Sequence, residues 1–386
     1  MTVADAPRPY LDYYGAHGIS PVEQDIRDLA AHFDRRRSLF RFLGLPGALL
    51  AGKALLEFGP GSGHNALYTA SLGPATYTLV DGNPTGIAET RKRLEAHWGP
   101  KDGLQVIHSL IEEFRADGQF DVVFCEGVIP FQRNPAEFAQ HVARGARPGG
   151  IVVITCIDAL SGLGEFARRL VADTIVPFAA PSADRLAILA PVFAPHLETL
   201  KGRTRPVTDW IHDNILIPYH GRPFSIAEAI EALAFDFDVY GSSPHFITDW
   251  RWHKECVGAD QRFNEIGLDA YFSNVANLTD YRTTVPPHST AEGRELLRLA
   301  DAVFDLMVEH ETHARADALP EAGAALLTLA DRLSAVLPGA AEALSAAGRF
   351  VLAADGGALS TLEPMRGFFG RGQQYLSFTR RPGGAN

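Results

Sequence analysis

The pattern of apolar and polar positions becomes regular at Lys53. Ala54–Phe58, ALLEF, is a short apolar run broken by one acid; glycine-rich punctuation follows, and then HNALYTASL, apolar at helical spacing. This predicts a buried strand, a turn and a helix over His64–Leu72 closed by Gly73-Pro74. Tyr77–Val80 reads as a second strand ending at Asp81, after which Pro84 sits near the first turn of a charged helix reaching Trp98. Leu104–His108 and Phe120–Cys125 (FDVVFC) give a third and a fourth strand. Asn134-Pro135 opens a helix expected to stop at Pro148-Gly149-Gly150, and Ile151–Cys156 (IVVITC) is a fifth strand. Apolar strands alternating with helices predict a doubly wound, mostly parallel sheet covered on both faces.

Past Cys156 the pattern loosens. Residues 160–218 are helical in pattern and punctuated by six prolines, Pro177 to Pro218. Phe224–Ala234 is amphipathic and Phe235–Tyr240 (FDFDVY) reads as a sixth strand. Residues 241–284 are rich in aromatics, and 289–350 are alanine- and leucine-rich and helical without a heptad repeat. Gln374–Thr379 (QYLSFT) is a returning final strand.

Composition narrows the function. The 386 residues are 46% hydrophobic and 21% charged, as in an ordinary globular protein. A net charge of −11 opposes a nucleic-acid surface, which carries a basic field. The longest apolar runs, such as Ile151–Ile154, fall far short of the ~20 residues that cross a membrane. The start MTVADAPRPYLDYY lacks a basic region followed by a hydrophobic stretch, so no secretory signal is expected. Cys125, Cys156 and Cys256 are odd in number and widely spaced, which fits a reducing cytoplasm and gives neither a disulfide framework nor a zinc pattern.

The chemistry begins at Glu57-Phe58-Gly59-Pro60-Gly61-Ser62-Gly63. A dinucleotide fingerprint needs G-x-G-x-x-G, and the third glycine position is His64 here; a phosphate loop needs Gly-Lys-Ser/Thr, which is absent. An acid two places before G-x-G-x-G, with Asp81 at the end of the second strand and FDVVFCEG and ARPGGIVVIT in order, resembles the class I S-adenosylmethionine-dependent methyltransferases. The resemblance covers residues 50–156 well and extends to the 235–242 and 373–380 strands.

It implies a Rossmann-like sheet of seven strands, the last antiparallel between the fifth and sixth, with helical insertions forming a cap. The implied organisation is an N-terminal helical lid over 1–50, a cofactor core over 51–158, a helical insertion over 159–225, and a core helix and strand six over 226–242. A cap insertion over 243–370 and a final core strand and tail over 371–386 complete it. The resemblance places the methionine part of the cofactor on Gly59, Pro60, Gly61 and Gly63. The ribose falls on Asp81 with Gly82 and Asn83 beside it, and the adenine on Ser109, Leu110 and Ile111. Glu57 compensates cationic charge nearby. Glu126, past strand four, faces the place of methyl delivery, as a catalytic or cofactor-side group or as a helix-capping or salt-bridged carboxylate.

An alcohol acceptor needs a general base, most often His, Asp or Glu. In GSSPHFITDWRWHKE, Ser243 reads as an N-cap with Pro244 at N1, which puts His245, Asp249 and His253 along one helical stripe. That stripe, with Glu126, is the candidate catalytic set, and Trp250 a candidate sugar or ring platform. His220 in IPYHGRPF and the DWIHDN segment are alternatives. Tyr14 and His17 are candidate pocket residues of the lid. Two histidines and a carboxylate on one helix hold a metal poorly, so no metal is expected. The expected acceptor is a small molecule or glycan hydroxyl, with no nucleic-acid or membrane partner; a homo-oligomer is compatible with the chain. The end, FFGRGQQYLSFTRR, is similar to methyltransferases of bacterial glycan pathways. Competing readings are a nicotinamide oxidoreductase and a non-catalytic relative that keeps the fold.

Overall fold

Helix α1 (Leu29–Phe42) starts where the Asp28 carboxylate accepts the Ala31 N–H, and it buries His32, Arg36 and Phe40 on one stripe. The computed structural model to which it belongs describes residues 24–99, 102–353 and 357–382, together with Asp12, Tyr13 and Gly15. Tyr14 and His17, and most of the lid expected over 1–50 before α1, lie outside the described residues.

The sheet is built as the apolar runs predict. Strands β1 (Ala54–Phe58), β2 (Thr76–Asp81), β3 (Leu104–His108), β4 (Phe120–Cys125), β5 (Ala146–Cys156), β6 (Phe237–Ser243) and β7 (Gln374–Arg380) lie in the order β3-β2-β1-β4-β5-β7-β6. All neighbouring pairs from β3 to β5 are parallel, and β7 is antiparallel to both β5 and β6. Thus β6 runs in the direction of β1–β5, and the C-terminal ends of these six strands share one edge. In open sheets of this kind ligands bind at that edge.

On one face, Leu55, Tyr77, Leu79 and Phe124 pack with Phe40 of α1, with Leu43 just past it and with Ala66, Leu67 and Ala70 of α2 (His64–Ser71). Phe40 stacks on Phe124 with ring centroids 5.6 Å apart. Helix α3 (Pro84–Trp98) is started by Asn83, whose side chain accepts from the Thr85 and Gly86 amides. On the other face α4 (Pro135–Ala143) and α5 (Ile226–Leu233) pack together, the latter opened by a Ser225–Glu228 capping box.

Two expectations need correction. The helix opened by Pro135 ends at Ala143, and Pro148-Gly149-Gly150 belong to β5, because Ala146 already pairs with Phe120 and the extra residues form a register shift before Ile151. The expected helix after β6 is absent. Ser243 is the last residue of β6 and pairs with Tyr375, so it serves the ladder and caps nothing; residues 244–252 run as irregular chain up to a 3₁₀ turn at His253–Glu255.

Contacts divide the chain into two compact units. One holds the sheet: residues up to Cys156, His220–Leu268, and Gln374 onward. The other comprises Ile157–Tyr219 and Asp269–Gln373. It is helical, with α6 (Leu163–Ile175), α7 (Ser182–Leu197), α8 (Thr290–His313), α9 (Ala318–Leu333) and α10 (Pro338–Leu352). Its interior contains charges that the alanine-rich sequence does not announce. Arg169 forks onto Glu311, and Arg185 donates to Asp173 at 2.6 Å; burial pushes the Asp173 carboxyl up to about 7.

Candidate active site

Gly59, Gly61 and Gly63 have φ of 69°, 55° and 78°, all in the left-handed region that L side chains avoid. The turn is held from behind by α3. The Thr90 hydroxyl donates to the Gly61 carbonyl at 2.8 Å, Arg93 donates to the Ser62 carbonyl, and a Cβ on Gly63 would come within 2.8 Å of the Thr90 hydroxyl. On Gly59 a Cβ would meet the Val128 side chain at 2.4 Å. The third glycine therefore serves close packing against a helix, as in a dinucleotide turn, but one place earlier than the dinucleotide fingerprint puts it.

Asp81 lies against this turn at the end of β2. Its Oδ2 accepts the Gly61 N–H at 3.0 Å and its Oδ1 the Asn83 N–H at 2.8 Å. A carboxylate offers about four acceptor sites, so two backbone donors leave it able to accept a diol. Burial raises its pKa, while the backbone N–H groups of Asn83, Gly61 and Gly82 favour the charged form. Beyond β3, the Ser109 N–H donates to the Asp81 carbonyl, and the Ser109 hydroxyl turns to the Leu110 carbonyl at 3.0 Å. Ile111 is buried, and its carbonyl lies 2.7 Å from Nε2 of His141. The segments proposed for the methionine, ribose and adenine portions thus gather at the C-terminal ends of β1, β2 and β3.

Glu57 is buried in β1 and accepts the Tyr77 hydroxyl. Burial pushes its carboxyl up to about 7, helped by the nearby charge of Glu126. Glu126, just past β4, is held by both arms of Arg36, Nη1 at 2.8 Å from Oε2 and Nη2 at 2.6 Å from Oε1; Asn65 Nδ2 lies 3.3 Å from Oε2. Of the two readings open for this residue, the contacts it makes are those of the salt-bridged carboxylate.

The acceptor-side candidates are dispersed. His245 is exposed and stacks on Phe42 of α1 at 6.3 Å, and His253 is exposed next to Trp252. Asp249 is gripped by Arg251 through both oxygens, and that pairing holds its carboxyl below the usual range. Trp250 is 93% exposed. No described contact joins His245, Asp249 and His253, so the stripe does not form. His220 is exposed; beside it, Gly221 packs so closely on the Gln132 carbonyl that a Cβ would come within 2.1 Å. Phe42 and Ser243, with Asp34, Arg35, Ser38 and Leu39, line an open cleft of about 380 Å³.

Sequence reading missed Arg36, Asn65 and Thr90. The signal for Arg36 was present: in His32-x₃-Arg36-x₃-Phe40 the arginine recurs at i+4 on the apolar stripe of α1.

The family profile described as "Methyltransferase domain" matches residues 56–154. A probable phthiotriol/phenolphthiotriol dimycocerosates methyltransferase 2 of Mycobacterium ulcerans is 36% identical over 126 residues, 32% of this chain and 46% of that protein. A tRNA U34 carboxymethyltransferase of Methylococcus capsulatus is 30% identical over 138 residues, 35% and 41% of the two chains. The chain spans less than half the length of these relatives. The solved magnesium protoporphyrin IX methyltransferase of Synechocystis PCC 6803 with bound SAH aligns over 60% of this chain and 90% of its own, at 13% identity and a TM-score of 0.36. With the glycine turn, Asp81 and the seven-strand order in place, residues 56–154 match a methyltransferase domain and the sheet is that of the Rossmann-like, S-adenosylmethionine-dependent methyltransferase fold.

Proposed function

We propose that the protein transfers a methyl group from S-adenosylmethionine to a hydroxyl of a small molecule or glycan. The observation that carries this reading is the Gly61 amide donating to Asp81, which sets three left-handed glycines and a ribose-accepting carboxylate at one sheet edge. Gly59–Gly63 hold the methionine portion, Asp81 the ribose hydroxyls, and the Ser109–Ile111 backbone the adenine. When bound, the cofactor supplies an electrophilic methyl group whose transfer is an in-line displacement, so positioning supplies much of the rate.

The names of the two relatives point to unlike acceptors, dimycocerosates in one and tRNA in the other, so similarity in this region does not choose the acceptor. The net charge of −11 favours an acceptor that is not a polyanion. An alcohol must also lose its proton. His245 is our candidate base, because it stacks on Phe42 and follows Ser243 by two positions, and both residues line the open cleft beside α1. Asp249 is withdrawn as its carboxylate partner, being committed to Arg251.

Calorimetry with S-adenosylmethionine, S-adenosylhomocysteine and NAD tests the cofactor. Binding of NAD alone would turn the assignment to the oxidoreductase reading, and binding of none to the non-catalytic one. Metabolite and oligosaccharide pools incubated with methyl-labelled cofactor would then identify the acceptor.

A further inference from the structure

We propose that Arg36 is a positioning residue for the cofactor end: its fork onto Glu126 latches helix α1 across the glycine turn, and Glu126 serves as the receiving half of that latch and not as the base. This rests on the cofactor assignment above. Three contacts tie α1 and the residues before it to the ligand edge. Nε2 of His32 lies 3.0 Å from the carbonyl of His64, the first residue after the turn, and His64 Nδ1 lies 2.6 Å from the Ser62 hydroxyl. Arg36 holds Glu126 at the end of β4. Asn65 touches the same carboxylate and accepts from Gln24 at 3.4 Å. One helix therefore fixes both the turn and the residue beyond β4.

The surroundings make the latch a matter of charge. Side chains of Arg36 and Glu126 are only 7% and 8% exposed. The other titratable groups facing this pair are Glu57 on β1, Tyr77 on β2, Cys125 on β4 and Tyr375 on β7, together with His32 one turn before Arg36 on α1, whose imidazole burial holds toward the neutral form. Removing Arg36 leaves a buried carboxylate among acids, and such a group relaxes by taking up a proton or by moving the element that carries it. Removing both partners leaves neither problem. A general base, by contrast, must have a free oxygen to receive a proton.

The test compares wild type, Arg36→Gln, Glu126→Gln, Arg36→Lys and the double Arg36→Gln/Glu126→Gln variant, titrated with S-adenosylhomocysteine at pH 6 and pH 8. Arg36→Gln should bind at least ten-fold more weakly at pH 8 and recover part of that loss at pH 6. Arg36→Lys, which keeps charge but not the fork, should fall between. The double variant should return to within about three-fold of wild type and lose the pH dependence. Equal affinity of Arg36→Gln and wild type at both pH values would overturn the latch. So would a Glu126→Gln enzyme that keeps product affinity but loses about 1,000-fold in turnover, which would make Glu126 the base. Wild type that binds neither cofactor form fails the functional reading instead. The latch is then read from hydrogen exchange of the His64–Ser71 amides, where equal protection in wild type and Arg36→Gln overturns it and loss that the double variant restores supports it.

Discussion

Replacing Glu57 by Gln removes a buried charge without changing shape. In the folded chain burial moves this carboxyl from 4.5 to about 7, with Glu126 adding to the rise and the Tyr77 hydroxyl and Arg36 opposing it. The folded state therefore binds the Glu57 proton more tightly than the unfolded state does. Protons are released on unfolding between pH 4.5 and 7, so this residue's contribution is most favourable below pH 4.5 and is lost as pH rises through 7. A difference of that size corresponds to roughly 3 kcal/mol at full deprotonation. The amide keeps an acceptor for Tyr77 and has no charge to desolvate. Glu57→Gln should thus be near neutral at pH 5 and stabilise the sheet by up to about 3 kcal/mol at pH 8, relative to wild type. Asp158 and Asp173 are also raised to about 7 by burial, so the wild-type pH slope mixes several groups, and the informative quantity is variant against wild type at each pH. Hydrogen exchange of the β1 amides reads the sheet without requiring both units to unfold together. A difference between the two proteins that is the same at pH 5 and pH 8 would refute the reasoning.

Asp81→Ala should weaken S-adenosylmethionine binding by roughly 1.5–3 kcal/mol, about ten- to a hundred-fold, by calorimetry; unchanged affinity removes the ribose role. Gly63→Ala places a side chain at φ +78° and within 2.8 Å of the Thr90 hydroxyl, so thermal unfolding should show a loss of roughly 2 kcal/mol or more, and a neutral result would mean that α3 can recede. His245→Gln should keep product affinity while turnover falls about 100-fold once an acceptor is known; full activity moves the base to His253 or His220.

What was legible in the sequence was what is local. A buried parallel strand is a run of apolar residues, a left-handed turn is a cluster of glycines, and both are written within a few positions, as at Ala54–Gly63. Partners far apart in the chain were not legible. Glu126 could be seen as salt-bridged or catalytic, but nothing near it names Arg36, 90 residues away. The helix expected after Ser243 followed capping rules correctly and failed because Tyr375 claims that backbone for a strand. Tertiary pairing overrides local preference in such places. The helix expected to run on to Pro148 ends at Ala143 for the same reason, since Ala146 is drawn into the sheet by Phe120.

The position of β7 has a consequence for biosynthesis. Among the described residues, strand β6 hydrogen-bonds within the sheet only to β7, and β5 meets β7 along Ile151–Cys156. A growing chain therefore carries a finished β3-β2-β1-β4-β5 half-sheet with an open edge, and an orphan sixth strand, until residues 374–380 leave the ribosome. Such distant closure is slow and exposes an edge that can pair with other chains. A chain interrupted before Gln374 forms its binding edge but leaves the sheet open, a natural substrate for chaperones and proteases.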